Sequence, residues 1–524
     1  MKKYIVVTGG VLSGIGKGIV SASTGRVLKE YGININSLKI DPYLNVDPGT
    51  MNPNQHGEVY VTDDGYEADL DLGHYERFLG KTMGRENNVT AGQIYRTIID
   101  GERKGEFLGA TVQIVPHVTD KIKERIRKIE ADVVMVEIGG TVGDIEGEIF
   151  LEAVRQLTVE EGLDNFFFIH VTYVPYLRVT NEFKTKPTQQ SVQLLRRIGI
   201  HPNMIIVRSE KEVDSEVMDK ISLFGGVPHE MVINLPDSNN VYSVPEMLHN
   251  NGIHNLISKK LNLKLSGIFN WKYPTSFKNV KIALIGKYLG TDDAYKSILE
   301  SLTLCGVKRP EVLDSEDLEE MTEEQVSNLL SKYDGLIIPG GFGKRGIEGK
   351  IKACSYARKN DIPILGICLG MQVMVIEYAR NVLGMKDANS VEFDKNTSFP
   401  VIDIMEKQKK VLKMGGTMRL GSQRAIIMKG SRLMDIYDGK REIYERHRHR
   451  YEVNYEKFKE MFSFPDNIKE DTLVISAKED FVEAVELPEK LFYVGIQYHP
   501  EFKSQVGNPH PLFKNLVETI TGNK

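Results

Sequence analysis

The sharpest chemistry in the 524-residue chain lies at residues 363–372, PILGICLGMQ. An apolar run leads into Gly366-Ile367-Cys368-Leu369-Gly370, and a helical pattern beginning Met371-Gln372 follows. This is the cysteine form of a G-x-S-x-G nucleophile turn. Its glycines permit the sharp bend, and the next helix N-terminus favours a thiolate. Such a cysteine needs a base, and YHPEF at 498–502 offers His499. In an extended segment residues i and i+2 point the same way, so Glu501 can orient the ring, and Pro500 suits an extended or turning backbone. Ile338-Pro339-Gly340-Gly341-Phe342-Gly343 adds a glycine loop after another apolar run, suited to donating an N–H to an oxyanion. Taken alone, a buried cysteine is usually packing and a His-x-Glu a surface pair. The three pieces together set Cys368 apart from Cys305 and Cys354.

A second chemistry opens the chain. After an apolar run come Thr8-Gly9-Gly10-Val11-Leu12-Ser13-Gly14-Ile15-Gly16-Lys17-Gly18. Backbone N–H groups at a helix N-terminus can cradle phosphates while the lysine neutralises them. The stretch departs from G-x-x-x-x-G-K-[ST] in being one residue longer from Gly10 to Gly16 and in carrying Gly18 where a metal-binding hydroxyl is usual. Any metal must then be held by carboxylates. Glu137 ends the apolar run VVMVE, placing it at the C-terminal edge of a parallel strand, and Asp71 lies in EADLDLGHYERF.

Positioning these groups takes more than one core in a chain of this length, so we expect two domains. Short apolar runs alternate with helical patterns: Tyr4–Thr8, Val133–Val136, Phe166–Val171 and Met204–Val207, then Lys281–Ile285, Gly335–Ile338, Ile364–Ile367 and Tyr493–Gln497. That alternation predicts an α/β fold with mostly parallel sheets covered on both faces. A lysine-rich helical stretch ends near Leu265, so the division expected is residues 1–263, a linker over 264–279, and 280–524. Residues 404–414, IMEKQKKVLKM, read as a surface hairpin.

Composition sets limits. The net charge of −5, from 67 basic and 72 acidic residues, gives no footprint for nucleic acid. No apolar run reaches the ~18 residues that span a bilayer, and the N-terminal run of about five residues is too short for a signal peptide. Three cysteines argue against a disulfide framework and suit a reducing cytoplasm. No cysteine or histidine spacing resembles a zinc site.

The second half resembles a class I glutamine amidotransferase domain. That resemblance makes Cys368 the nucleophile, His499 the general base and Glu501 its orienter. It also implies oxyanion contacts from Gly341 and Leu369, and glutamine contacts from Gly370, Met371, Gln372, Glu392 and Arg450. Without it, Glu445-Arg-His-Arg-His-Arg450 would read as a solvated basic face. The first half, through KIDPYLNVDPGTMNPNQHGEVYVTDDG, DLDLGHYERF, LGATVQIVPHVT, VEIGGTVGDIEG and KTKPTQ, is similar to the CTP synthase family, as are RSE, ERHRHRYEVN and GGTMRLG further on. The resemblance runs from residue 4 to about residue 515. It implies an amidoligase domain followed by the amidotransferase domain. ATP would phosphorylate O4 of UTP, and glutamine-derived ammonia would displace the phosphate to give CTP.

By this resemblance Ser13, Gly14, Ile15, Gly16, Lys17 and Gly18 hold ATP phosphates with Lys39, Asp71 and Glu137 bind Mg²⁺, and Arg208 with Pro236, Asp237 and Ser238 face adenine. Ser13, Asp144, Ile145, Glu146, Lys184, Thr185, Lys186, Pro187, Thr188, Gln189 and Lys220 match the UTP and CTP site. CTP is the implied feedback inhibitor and GTP the activator, near Phe342, Arg345 and Gly415–Arg419. Pro53, His56 and Val59, with Leu108 close by, match an ammonia channel. A cytoplasmic homotetramer, able to form filaments, is implied. One departure, Glu148 where members usually carry an apolar residue, bears on the strength of CTP inhibition. The alternatives are another ATP-dependent amidotransferase of the cobyrinate type, or a filament-forming scaffold.

Overall fold

Runs of Val, Ile and Phe with no polar alternation have no solvent face to offer, so each must be covered on both sides. The computed structural model, which describes residues 2–404 and 418–522, arranges them in two compact units. Met1–Thr50 and Asp71–Tyr273 form the first; Met51–Leu70 and Pro274–Lys524 form the second. The hairpin expected over 404–414, and Gly415–Thr417, lie outside the described residues, Ile404 excepted.

In the first unit the strands are β1 (Lys3–Gly9), β2 (Ile35–Asp41), β3 (Asn88–Thr90), β4 (Val133–Ile138), β5 (Phe166–Tyr173), β6 (Met204–Ser209) and β7 (Val232–Pro236). They make one parallel sheet in the order β7-β6-β5-β1-β4-β2-β3. β1 is central, and its partners β4 and β5 bring Glu137 and His170 level with its C-terminal end. Helix α1 (Lys17–Glu30) leaves β1 through the glycine loop, α2 (Asp71–Leu79) packs against α1, and α3 (Lys186–Arg197) packs beside β5.

The second unit holds β8 (Ile282–Gly286), β9 (Glu311–Asp314), β10 (Gly335–Ile338) and β11 (Ile364–Ile367), then the hairpin β12 (Arg419–Ile426) and β13 (Glu442–His449), then β14 (Phe462–Ser463), β15 (Leu473–Lys478), β16 (Val482–Glu486) and β17 (Tyr493–Ile496). All but the hairpin share a sheet ordered β9-β8-β10-β11-β17-β16-β15-β14, parallel from β9 to β17 and antiparallel from β17 to β15. Helices α4 (Ile347–Asn360) and α5 (Leu369–Asn381) cover one face.

The contiguous division expected from sequence places residues 51–70 in the first half, whereas in the structure they pack with the second unit. Polar anchors explain this. Arg446 hydrogen-bonds Asp63 at 2.5 Å and the Tyr60 hydroxyl at 2.8 Å, and Arg448 meets Glu67 at 2.7 Å. The run 445–450 is therefore no solvated face: Arg446 is 2% exposed, and the alternation along β13 turns His447 and His449 into the interior. Residues 264–273 of the expected linker pack on the first unit, with the Trp271 indole donating to Tyr242 O at 2.7 Å.

Candidate active site

In the second unit β11 ends at Ile367 and α5 begins at Leu369, leaving Cys368 alone to make the turn. Its backbone stands at φ 54° and ψ −104°, a conformation that costs a residue with a Cβ about 1–3 kcal/mol. Gly370 is needed for close approach: a Cβ there would lie 2.1 Å from Ile338 O. Such crowding seats the turn against β10 and aims the sulfur into a cavity of about 90 Å³. Gly340, Gly341, Phe342, Arg448, His499 and Glu501 are among its walls, and so are Pro53 and Val59.

His499 Nδ1 meets Glu501 Oε1 at 2.7 Å. The expected extended His-x-Glu is instead a turn. Pro500 opens a 3₁₀ segment, Pro500–Lys503, whose curl, not strand alternation, returns the carboxylate to the ring. Among the described residues the buried Nε2 atom meets hydrogen-bond geometry with no partner. Burial alone would lower the imidazole, but the Glu501 carboxylate and then the Cys368 sulfur outweigh it and raise it to about 10. The ring therefore keeps a proton at neutral pH, which a bond-breaking step can draw on. Gln497 Nε2 lies 3.7 Å from the sulfur, a contact the spacing of motifs did not signal. Gln372 donates to Tyr451 O at 2.9 Å, and Glu392 accepts from Gly343 N at 2.7 Å. Burial raises Glu392, and the Gly343 N–H, then Lys287 and Arg450, offset part of that shift.

In the first unit the loop before α1 turns through Gly16 at φ 91°. Lys17 is 8% exposed and donates to Gly140 O at 2.7 Å. Lys39 donates to Asp71 and, at 3.1 Å, to Glu137, while Tyr75 donates to the other oxygen of Glu137. Burial alone would raise Asp71, but Lys39, supported by His74 and Lys17, brings it to about 2. Burial raises Glu137, which Lys39 offsets in part. Tyr75 follows Asp71 by four residues on α2, a spacing that could have revealed it.

Gly18 now has a physical reason. A Cβ there would lie 2.0 Å from Asp71 Oδ1, so the carboxylate takes the space a hydroxyl-bearing side chain would need. Among the described residues no three His, Cys, Asp or Glu side chains gather as a metal cluster. Two carboxylates beside the glycine loop nonetheless fit a hard cation such as Mg²⁺. Arg208 pairs with Asp237 at 2.5 Å and stands beside the loop, 3.0 Å from a Cβ built on Gly16.

Asp144 accepts from Thr141 N at 2.8 Å. Ile145 and Glu146 line a cavity of about 810 Å³ with Glu148, Ile114 and Leu44; Lys184–Gln189 and Lys220 are not among its walls. Ile145, Ile114 and Leu44 are exposed there. Thr188 bonds Thr172 at 2.9 Å and Gln189 bonds Thr185 at 3.0 Å, which seats the start of α3 on β5. Lys184 pairs with Glu182, and Lys186 and Lys220 are exposed. Ser13 is exposed, His56 stands outside the walls of the Cys368 cavity, and Leu108 is almost fully exposed.

Residues 3–263 match the family model described as CTP synthase N-terminus, and residues 291–519 match glutamine amidotransferase class-I. A CTP synthase from Thermotoga maritima is 65% identical over 525 residues, covering all of both chains. One from Thermosipho africanus is 64% identical over 99% of each. One from Aquifex aeolicus is 51% identical over 99% of this chain and 98% of its own. Matches at that level span both units from end to end, which a cobyrinate-type amidase would not explain, and the chain belongs to the CTP synthase family.

Proposed function

We propose that the chain converts UTP to CTP with ATP and glutamine, each unit carrying one half of the chemistry. The reading rests on one observation: a single chain holds both a Cys368–His499–Glu501 cluster and a lysine–carboxylate cluster on a phosphate loop.

In the second unit the Cys368 sulfur, its proton already held on His499, attacks the glutamine carboxamide carbon as the thiolate. The oxygen, now negative, is met by the N–H groups of Gly341 and Leu369. His499 returns the proton to the departing ammonia, and water, deprotonated by the same ring, cleaves the thioester to glutamate. Glu501 holds the ring in place throughout. Gln372, Glu392 and Arg450 hold the amino-acid end of glutamine, with Gly370 and Met371 beside them. Pro53 and Val59, which share the cavity with Cys368, support an exit for ammonia there.

In the first unit Ser13–Gly18 cradle the ATP phosphates and Arg208 with Pro236–Ser238 face the adenine. Lys17 and Lys39 stabilise the charge of the transferred phosphoryl group. Asp71 and Glu137 hold Mg²⁺, which supplies a Lewis acid that offsets phosphate charge. O4 of UTP takes the phosphoryl group, turning a poor leaving oxygen into phosphate, and ammonia displaces it at C4. Asp144–Glu146, Lys184–Gln189 and Lys220 hold the pyrimidine nucleotide. Exposed Leu44, Ile114 and Ile145 around the 810 Å³ cavity support its completion by a second copy of the chain, consistent with a homotetramer. CTP shares this site as inhibitor, and GTP acts near Phe342, Arg345 and Arg419. Among the described residues no helix is long and apolar enough to cross a membrane, and the cytoplasm suits the reaction.

UTP labelled with ¹⁸O at O4 tests the phosphorylation: the label should appear in inorganic phosphate. Label released in water would refute it.

Gly18→Ser, although it restores the usual hydroxyl, should lower ammonia-dependent synthesis on the order of 10²-fold. Its Cβ would displace Asp71, 2.0 Å away. Steady-state rates at graded Mg²⁺ check this; an unchanged rate would mean Asp71 has no part in phosphoryl transfer.

A further inference from the structure

Two buried lysines lie beneath the loop that follows β10, and the mechanism above uses neither. Lys350, on α4, has 0% exposure and donates to Pro339 O at 3.2 Å. Lys287, after β8, is 3% exposed and donates to Gly343 O at 2.9 Å and to Phe342 O. Glu392 takes the Gly343 N–H from another side. Charged side chains thus hold the main chain at both ends of Pro339–Gly343.

Burying an ammonium without a carboxylate costs several kcal/mol, and an apolar side chain of equal volume would pack as well. Burial, with the Lys287 ammonium adding to it, pushes the Lys350 ammonium down to about 7. Even the neutral amine keeps an N–H for the Pro339 carbonyl. The C=O and N–H of one peptide point in opposite directions. Holding Pro339 O on the Lys350 side therefore turns the Gly340 N–H away from it. Gly340 borders the chemistry: a Cβ there would lie 3.0 Å from His499 Cε1 and 3.7 Å from Cys368 Cβ. Lys287 backs the next residue, its Cε 3.1 Å from a Cβ built on Gly341.

We propose that Lys350 is a positioning residue for glutamine hydrolysis. By gripping the Pro339 carbonyl it fixes the peptides of the Gly340–Gly341 turn, so that their N–H groups meet the oxyanion formed at Cys368. Lys287 holds the far end of the same loop. The proposal rests on the reading of Cys368 as nucleophile.

Lys350→Met removes donor and charge at nearly constant volume. The kcat for glutamine hydrolysis should fall about 10–100-fold, with KM within about twofold. Inhibition by an aldehyde analogue of glutamine should weaken by the same factor. In that adduct the sulfur bonds the aldehyde carbon, and the carbonyl π pair moves to an oxygen placed where the oxyanion forms. Alkylation of Cys368 by iodoacetamide displaces iodide and creates no oxyanion, so it should change less than about twofold. Lys350→Gln, which keeps an N–H donor, should recover part of the loss. Unchanged hydrolysis in Lys350→Met would overturn the proposal. Equal losses of alkylation and turnover would also do so, because they report a collapsed site. Persistent aldehyde inhibition in Cys368→Ala would count against the nucleophile reading itself.

Discussion

Replacing Cys368 with alanine should lower glutamine-dependent CTP formation on the order of 10⁴-fold or more, while ammonia-dependent formation stays within about twofold. The loss is large because neither remaining cysteine can take over. Burial pushes the Cys305 thiol up to about 12 and the Cys354 thiol well above its ordinary range. Cys368 alone sits on a strained turn beside His499. The other half is spared because added ammonia bypasses the thioester, and Lys17, Lys39, Asp71 and Glu137 belong to the other unit. Paired assays with glutamine and with ammonium chloride read both effects. Loss of both activities in a folded variant would break the division of labour.

Lys17→Ala should lower synthesis from either nitrogen source on the order of 10³-fold or more. Phosphoryl transfer precedes the entry of nitrogen, so ammonia cannot bypass this step. Lys17 Nζ stands on Gly140 O at 2.7 Å. Burial lowers its ammonium, and Glu137 opposes the shift; the amine stands at the C-terminal edge of the sheet. Glutamine hydrolysis should persist in this variant. Ammonia-dependent turnover at the original rate would overturn the phosphate-loop assignment.

What was legible in the sequence follows from how each element earns its burial. Gly335–Ile338 and Ile364–Ile367 are strands over the same residues that form the apolar runs. β5 and β6 continue beyond their apolar runs through Thr172-Tyr173 and Arg208-Ser209, because ladder pairing continues where apolar character stops. β2 escaped the pattern altogether. Its Asn36, Ser37 and Lys39 are buried polar residues, and Asn36 and Lys39 are satisfied by Asn87, Asp71 and Glu137, partners far along the chain. Residues 51–70 carry no signal for packing with the second unit, since Asp63 and Glu67 find Arg446 and Arg448 nearly four hundred positions away. The strand–cysteine–helix turn was legible because its glycines, cysteine and helix are local. Lys350 was not: a lysine on a helix reads as solvent-facing until the fold shows Pro339 O above it.

The most direct test of the central claim follows the rise in absorbance as UTP becomes CTP in the intact enzyme. ATP and Mg²⁺ are supplied with either glutamine plus GTP or ammonium chloride. The account predicts CTP from both nitrogen sources, with no product when ATP is omitted. No CTP from either source, in a folded protein that still binds ATP, would contradict it.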